Sequence, residues 1–568
     1  MAHRPTVRLS SRPVRAWKRG GCAGLLVLAA LCACAAPHHA PPRAPAELRV
    51  PLVRDVQSLD PLDGGEIVTF NVVRQLYEGL VDYDPRALTV VPRLARAWRV
   101  SDDGRRWSFD LQPGVRFVDD PCFAVGRGRE LTAADVVFTL ERALGRSRGA
   151  AGLADLPPVA GLAAFLEGRS RHIAGIRATT PLELDIRLER PDPSLLHFLA
   201  AARGRVVPRE AVEAYGPDFR THAVGTGPFR LVSWEPLSGI LLVRNRDYWR
   251  SDSAGARLPY LDALRFVPFW TEERIRLFAE GRIDMVFSYV PGAIPAATGE
   301  PGPEARRAGS ERQFFVSRLN TVFLRFDRRS RHPAVQERRL RRALSCAVER
   351  LPGTTHVAAR GLLPPGLPGH DPDLDGQRTD PAAALGLLAA AGHPRGRGLP
   401  PLRIVWREWD AGIGERIAGG LRDLGLRVSM RQCDDRSYWA AIDSGAADLF
   451  RDGWMADYPD PQTFLELFYS ASPTNRGSYR SPEYDRLFLE FRAARAAARR
   501  LELARRLERL LVEDAAALFL HHERERQFVA GRVEGWEHNC MNPLNVCFYE
   551  YVRVRPAAAS ATRAATAT

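Results

Sequence analysis

The sequence predicts a mixed α/β protein built as more than one lobe. Its 568 residues are more than one compact core normally holds. With 45% hydrophobic residues and a mean hydropathy of −0.23, the composition is that of a soluble globular protein. Short alternating segments and capped helices follow one another along the chain, which is the pattern of an α/β architecture.

The N-terminus has the layout of a secretory signal peptide. A basic segment ends at Arg19 and leads into an apolar run over 22–36, which is too short to cross a bilayer comfortably. The run contains a Leu-Cys-Ala-Cys sequence ending at Cys34, which resembles a bacterial lipobox. An ordinary signal peptide without a lipid is the alternative. We expect 1–33 to be removed, Cys34 to be lipidated and 34–46 to form a flexible tether.

The positive charge is carried almost entirely by arginine, and Lys18 is the only lysine. Six positive charges lie in the segment that we expect to be removed, which reduces the formal charge from +14 to +8. The remaining arginines are interspersed with aspartate and glutamate. This pattern favours a solvated arginine-rich surface over a nucleic-acid interface.

Five cysteines follow Cys34, and an exported protein can form disulfides. Because five is odd, at least one thiol is free or pairs between chains. Cys346 lies on an apolar helix face, which predicts a buried thiol. The pairing of the other four stays open, and no spacing resembles a zinc site. The five are Cys122, Cys346, Cys433, Cys540 and Cys547.

Alternation of apolar and polar residues predicts the strands. The segments 48–52, 107–111, 182–188 and 426–430 each place apolar side chains on one face. The strands are separated by turns and helices rather than by long loops. We therefore expect sheets that are covered by helices.

Capping residues predict the helices between these strands. A helix over 68–80 ends at Gly79, and Thr132 begins a helix with Asp135 in a capping box. Two further helices cover 381–391 and 413–424. Ser481 opens a long arginine-rich helix, and we expect the Ala/Thr-rich tail over 557–568 to be disordered.

A series of short motifs stands in a fixed order along the chain. The motifs are Ser58-Leu59-Asp60-Pro61, Leu76-Tyr77-Glu78-Gly79-Leu80, Pro92-Arg93-Leu94-Ala95, Ser101-Asp102-Asp103-Gly104, Thr132-Ala133-Ala134-Asp135, Gly225-Thr226-Gly227-Pro228-Phe229, Asn245-Arg246-Asp247-Tyr248-Trp249, Gly281-Arg282-Ile283-Asp284 and Gly453-Trp454-Met455-Ala456-Asp457-Tyr458-Pro459-Asp460-Pro461. In number and order they resemble the extracellular solute-binding proteins of family 5, the oligopeptide- and dipeptide-binding proteins of ABC importers. The likeness extends over about 48–554.

The resemblance implies a fold like that of periplasmic binding proteins, with two lobes, an inserted third domain and a hinge between domains I and III. Ligand would lie between domains I and III. Domain I would hold 47–92, 206–316 and 525–556. Domain II would be 93–205, and domain III 317–524.

The last motif supplies the first candidate site residues. A peptide ammonium needs a carboxylate partner, and the resemblance assigns that role to Asp457, with Trp454 and Gly453 forming the neighbouring wall. The alternatives are a structural Asx turn or helix cap for Asp457 and a core position for Trp454. Asp460 precedes Pro461 and a helix start, which favours a structural role.

A second candidate segment is the loop at Gly65, Glu66 and Ile67. By resemblance, its backbone would pair with an extended bound peptide, as an added strand does. Its glycines would let the two backbones approach closely.

The function predicted is that of a lipid-anchored, extracytoplasmic solute-binding protein in the periplasm or cell envelope. It would capture peptides as a monomer and deliver them to an ABC permease with its ATPase subunits, without cofactor, metal or catalysis. One alternative is the same fold binding a metal chelate, sugar or antibiotic.

A secreted hydrolase is the remote alternative. A G-x-S-x-G string begins at Gly145, but it follows a helix rather than the strand that a nucleophile elbow requires. His521 and His522 lack a further histidine at metal-ligand spacing, which favours a polar strand edge.

Overall fold

Helices and strands are interspersed along the chain, as expected for a mixed α/β protein. The computed structural model describes 45–52, 55–64, 67–146, 156–235, 239–268, 274–287, 312–350, 353, 355–408, 411–541 and 547–555. The signal segment, Cys34, the tether and the tail therefore lie outside the described residues. Within these ranges, no helix has the length and apolarity needed to span a membrane.

The strands vary from two to thirteen residues in length. They are β1 Glu47–Leu52, β2 Val81–Tyr83, β3 Val90–Pro92, β4 Ala95–Val100, β5 Arg106–Leu111, β6 Ile176–Thr180, β7 Glu183–Arg187, β8 Phe229–Glu235, β9 Gly239–Arg244, β10 Ala263–Pro268, β11 Met285–Phe287, β12 Arg312–Ser317, β13 Asn320–Phe326, β14 His356–Ala358, β15 Leu402–Arg407, β16 Val428–Cys433, β17 Leu449–Met455, β18 Ala517–Val529, β19 Val533–Glu534 and β20 Arg553–Val554.

The helices lie between and beside these strands. They are α1 Ile67–Leu76, α2 Ala133–Gly145, α3 Leu162–Leu166, α4 Leu195–Ala200, α5 Arg209–Tyr215, α6 Arg274–Ala279, α7 Pro333–Gln336, α8 Arg338–Ala347, α9 Pro381–Ala390, α10 Ala411–Asp423, α11 Asp435–Asp443, α12 Gln462–Leu465, α13 Pro482–Ala493 and α14 Ala497–Glu513.

Most of the strands belong to three sheets. One has the order β1-β10-β9-β8, with β1 parallel to β10, and a second has the order β4-β5-β7-β6. The third has the order β11-β18-β13-β17-β15-β16, and β12 and β14 also pair with β18. The second sheet falls within the 93–205 segment expected as domain II, while the domain boundaries themselves remain a prediction.

Strand β18 is the longest of the described strands and pairs with several strands of the third sheet. Its first residues pair with β13, and the residues from Arg524 to Val529 pair with β12. The register shifts opposite Val322 and Phe323, which is a bulge. Bulges bend a strand and increase its local twist, and this one places Leu520 as the extra residue within the part of β18 that pairs with β13.

Several predicted elements are confirmed. Strand β1 covers the predicted 48–52 segment, and α2 begins directly after Thr132. The capping box is present, because the Thr132 amide donates to Asp135 Oδ2 at 2.9 Å. Helix α9 starts at Pro381, and its N-cap Asp380 accepts a hydrogen bond from the Ala383 amide. These starts depend on local capping, which sequence reveals directly.

The helix predicted over 68–80 is too long, because α1 ends at Leu76. Gly79 instead forms a bridge with Arg205, and a side chain there would collide with the Leu199 carbonyl. The adjacent Glu78 is fully buried in an ion pair with Arg93. The close approach and the buried charge hold this segment in an extended form.

The single long helix predicted from Ser481 is also wrong, since α13 and α14 are separate helices. The linker is held by tertiary contacts rather than by a proline. Arg495 donates to the Asp102 carbonyl at 2.6 Å, and Arg492 pairs with Asp192 at 3.0 Å. Arg500 Nη1 binds the Phe491 carbonyl at 2.9 Å and so satisfies the end of α13.

Buried ion pairs and hydrogen bonds explain three of the sequence motifs. Glu78 accepts from Arg93 Nε at 2.7 Å and from the Tyr248 hydroxyl at 2.8 Å, and Arg93 also binds Glu550 at 2.8 Å. Residues from three distant motifs or segments therefore meet at one carboxylate. Truncating one member would leave a buried charge without compensation, which is strongly destabilising.

The five described cysteines are free thiols. Cys346 is half-buried rather than fully buried, and burial raises its pKa. Cys547 is fully buried beside Arg74, which is consistent with a packed, unreactive thiol.

Candidate functional site

The candidate site begins where β17 ends. Strand β17 pairs antiparallel with β13, so that Trp454 lies opposite Thr321 and Gly453 lies opposite Val322. The chain then turns through Asp457 and enters α12. The predicted residues Gly453, Trp454 and Asp457 therefore lie together at the end of an interior strand.

One buried hydroxyl joins Trp454 to Asp457. Thr463 Oγ1 accepts from the Trp454 indole Nε1 at 2.9 Å and donates to Asp457 Oδ2 at 3.1 Å. The Asp457 amide also lies 3.5 Å from the same oxygen. Thr463 has no exposed surface, whereas Asp457 is exposed and Trp454 is half-buried against the main core. The arrangement presents an anchored carboxylate beside an aromatic face.

Asp460 has the structural role that its position predicts. Its carboxylate accepts from the Gln462 amide at 2.8 Å and pairs with Arg500 through two nitrogens, at 2.8 and 3.2 Å. Burial by itself would raise the Asp460 pKa, but Arg500 and nearby His197 hold it well below its usual range. The start of α12 is thus fixed by α14.

A histidine from a distant segment packs against the motif. The ring of His197, in α4, stacks on Tyr458 with centroids 4.6 Å apart and an interplanar angle of 14°. On its other side, His197 Nδ1 is 3.0 Å from the Tyr83 hydroxyl. Its Nε2 lies 3.8 Å from Asp460 Oδ2. These contacts tie the turn that carries Asp457 to the 81–83 and 195–200 segments.

The second predicted segment is only partly described. Gly65 and Glu66 lie outside the described residues, and Ile67 begins α1 without a described side chain. The preceding Gly64 is closely packed, because a Cβ there would lie 2.7 Å from the Ala202 side chain. The loop thus begins against the segment that directly follows α4, the helix that contacts Tyr458.

Among the described residues, the features that suggest a hydrolase or a metal site do not form one. Gly145 ends α2, Arg146 is its C-cap, and the remainder of the G-x-S-x-G string, 147–149, lies outside the described residues. His521 and His522 are buried in β18 instead of lying at a polar edge, and burial lowers the pKa of each to about 3. Among the described residues, no group of three or more His, Cys, Asp or Glu side chains could hold a metal ion.

Sequence reasoning missed Thr463, His197 and Arg500. Thr463 follows Asp457 by six residues, and its hydroxyl points back only because the turn reverses the chain. An isolated histidine within the apolar Leu-Leu-His-Phe-Leu segment was a usable signal for His197, since polar residues on apolar helices usually have a partner. Nothing in the sequence distinguishes Arg500 from the other arginines of α14.

The chain is similar in sequence to binding proteins of bacteria. It is 25% identical over 528 residues to the probable di/tripeptide-binding protein 5 of Pseudomonas aeruginosa, covering 88% of this chain and 94% of the relative. It is 26% identical over 493 residues to the probable deoxycholate-binding periplasmic protein YgiS of Escherichia coli, covering 83% and 86%.

Its fold matches that of solved periplasmic binding proteins, which confirms the predicted fold class. The unliganded open form of the periplasmic murein tripeptide binding protein MppA superimposes with a TM-score of 0.75 at 24% identity, covering 90% of this chain and 97% of MppA. The model of the bacterial extracellular solute-binding proteins, family 5 Middle, matches residues 89–476. The chain therefore belongs to the bacterial extracellular solute-binding proteins of family 5.

Proposed function

We propose that this solute-binding protein captures peptides outside the cytoplasm and delivers them to the permease of an ABC importer. The observation that carries the proposal is the exposed Asp457 carboxylate, held beside Trp454 by the buried Thr463 hydroxyl. The family consists of solute-binding proteins, so its members bind and release without catalysis. A relative described as a di/tripeptide-binding protein adds support.

Asp457 would receive the N-terminal ammonium of the peptide through charge-assisted hydrogen bonds. Trp454 would form the adjoining wall of the pocket, because an indole offers a large rigid face at low entropic cost. The backbone at Gly65, Glu66 and Ile67 would pair with the peptide backbone. Side chains of the peptide would then be accommodated with little selectivity.

Ligand would lie between domain I, formed by 47–92, 206–316 and 525–556, and domain III, formed by 317–524. Domain II, formed by 93–205, would pack beside them. Hinge closure would bury the peptide. A lipid on Cys34 and the 34–46 tether would keep the protein near its permease, which raises the effective concentration of the two partners.

A second candidate function is binding of a non-peptide solute by the same fold. A relative described as a probable deoxycholate-binding protein favours keeping this alternative. However, a carboxylate solute would meet like charge at Asp457, whereas a peptide ammonium would meet opposite charge. The charge at the candidate site therefore favours the peptide.

The test is calorimetry with tri-alanine and its N-acetylated form, for wild type and Asp457→Asn. The asparagine keeps the shape and an acceptor oxygen for Thr463 but removes the charge. We expect at least a tenfold loss of affinity for the free peptide, about 1.4 kcal/mol, and a similar loss in wild type on acetylation. Equal affinities across the set would refute the ammonium role of Asp457.

Native mass spectrometry after mixing with a peptide pool tests the function independently of any single residue. Retained peptide masses are the expected result. Retention of a different small molecule, with no peptide adduct, would instead establish the non-peptide function.

A further inference from the structure

We propose that Thr463 is the positioning residue of the peptide site, whose hydroxyl fixes the Asp457 carboxylate and the Trp454 indole in one arrangement before ligand arrives. This inference rests on the proposed peptide function and goes beyond it by assigning the source of the site's preorganisation. Thr463 itself would not touch the ligand, since its side chain is fully buried.

The chemistry of the three groups determines the direction of each hydrogen bond. An indole N–H can only donate, so the Thr463 oxygen must accept from Trp454. An ionised carboxylate can only accept, so the single hydroxyl proton of Thr463 must point to Asp457 Oδ2. The two bonds together require a group that both accepts and donates, which a hydroxyl can do and a methyl group cannot.

The hydroxyl is itself held by a rigid support. Thr463 lies in α12, where its amide binds the Asp460 carbonyl and its neighbour Gln462 binds the Asp460 carboxylate. Arg500 of α14 donates hydrogen bonds to the same carboxylate from two nitrogens. The position of Asp457 is thus set by a chain of contacts that leads from α14 through Asp460 and Thr463.

The consequence is that Asp457 loses less side-chain conformational entropy when a ligand binds. An exposed aspartate ordinarily samples several rotamers, and ligand binding must restrict them. Here the bond to Thr463 restricts Asp457 in advance, and preorganisation of this kind improves affinity without a new ligand contact. The benefit is greatest for ligands that bring a cationic donor to Asp457, and an acetylated N-terminus keeps one N–H but loses that charge.

The test compares Thr463→Val, which keeps the shape and removes the hydroxyl, with Thr463→Ser, which keeps the hydroxyl. Affinities for tri-alanine and N-acetyl-tri-alanine are measured by calorimetry. We expect Thr463→Val to weaken tri-alanine binding about fivefold to tenfold and Thr463→Ser to remain within about twofold of wild type, in keeping with the usual size of one buried hydrogen bond. Binding of the acetylated peptide should change less than twofold in either variant.

A measurement without peptide tests the arrangement of Trp454 and Thr463 separately from the affinity for peptide. The indole ¹⁵N–¹H resonance of Trp454, assigned with Trp454→Phe, should shift in Thr463→Val and stay near its wild-type position in Thr463→Ser. An unshifted resonance in the valine variant would overturn the inference, and so would a shifted resonance with unchanged tri-alanine affinity.

Combining Thr463→Val with Asp457→Asn provides a further check. If Thr463 acts through Asp457, the valine substitution should have little effect in the asparagine background. Full additivity of the two losses would overturn the inference while leaving peptide binding intact. Absence of peptide binding by the wild type would refute the proposed function, and the inference with it.

Discussion

The buried carboxyl of Glu508 should make the protein less stable as pH rises. Glu508, in α14, is 1% exposed, and its Oε1 accepts from the Leu363 amide at 2.7 Å. Among the described residues, its Oε2 has no hydrogen-bond partner. Burial outweighs the backbone donors and raises the pKa of Glu508 from 4.5 to about 7. The group is therefore best accommodated as a neutral acid.

The direction of the change in stability with pH follows from the number of protons bound by the folded and unfolded states. Between pH 4.5 and 7 the folded state keeps a proton that the unfolded state releases, so stability falls as pH rises. The full difference between the two pKa values corresponds to about 3 kcal/mol. Most of this falls between pH 5 and pH 8.

The perturbation is Glu508→Gln, whose amide resembles the protonated acid at every pH. Urea unfolding at pH 5 and pH 8 gives the free energy of unfolding for wild type and variant. The free energy of unfolding of the variant relative to wild type should improve by about 2 to 3 kcal/mol between pH 5 and pH 8. Exposed Glu513, at the end of the same helix, provides the control Glu513→Gln, which should show no such change.

A relative stability of Glu508→Gln that is the same at both pH values would refute this reasoning. It would mean that the carboxyl ionises at the same pH in the folded and unfolded chains. Other titrating groups, including buried Glu525, His521 and His522, contribute equally to the stability of wild type and Glu508→Gln. Their contributions therefore cancel when the two proteins are compared at the same pH.

Two further predictions concern the anchor and the support of the candidate site. Cys34→Ala should release the protein from membranes in detergent-free fractionation, because it removes the residue that we expect to be lipidated; continued sedimentation with membranes would rule out the lipid anchor. Arg500→Met should lower the free energy of unfolding by about 3 kcal/mol, since it leaves the largely buried Asp460 carboxylate without its cation. The control Arg499→Met changes a residue whose side chain is 47% exposed and should cost under about 1 kcal/mol, and equal losses in the two variants would contradict the role given to Arg500.

Local chemistry was predictable from the sequence, and tertiary contacts were not. The capping box of Thr132 and Asp135 involves residues three positions apart, so the pattern itself specifies the helix start. The break between α13 and α14 depends on Asp102 and Asp192, which are about 300 to 400 residues away in sequence. Helix propensity alone favours continuing that helix, and the contacts override it.

The candidate site shows the same division. The sequence motif itself identified Trp454 and Asp457 as candidate site residues. The order of the motifs along the chain indicated the family. The bond from Thr463 depends on how the turn folds back, and the stacking of His197 on Tyr458 joins segments 261 residues apart. Neither contact has a sequence spacing that would reveal it.

The long strand β18 determines how the parts of the third sheet can move. Its thirteen residues pass without interruption from the partners near β13 to those near β12 and β11. A rotation between the two ends cannot be absorbed by free bond rotations, as it would be in a loop, because the ladder holds each peptide unit. It has to be taken up by bending of the strand, and the bulge is the point at which the ladder is locally disrupted. Bending of a paired strand stores elastic energy, so β18 opposes a rotation that a loop would permit.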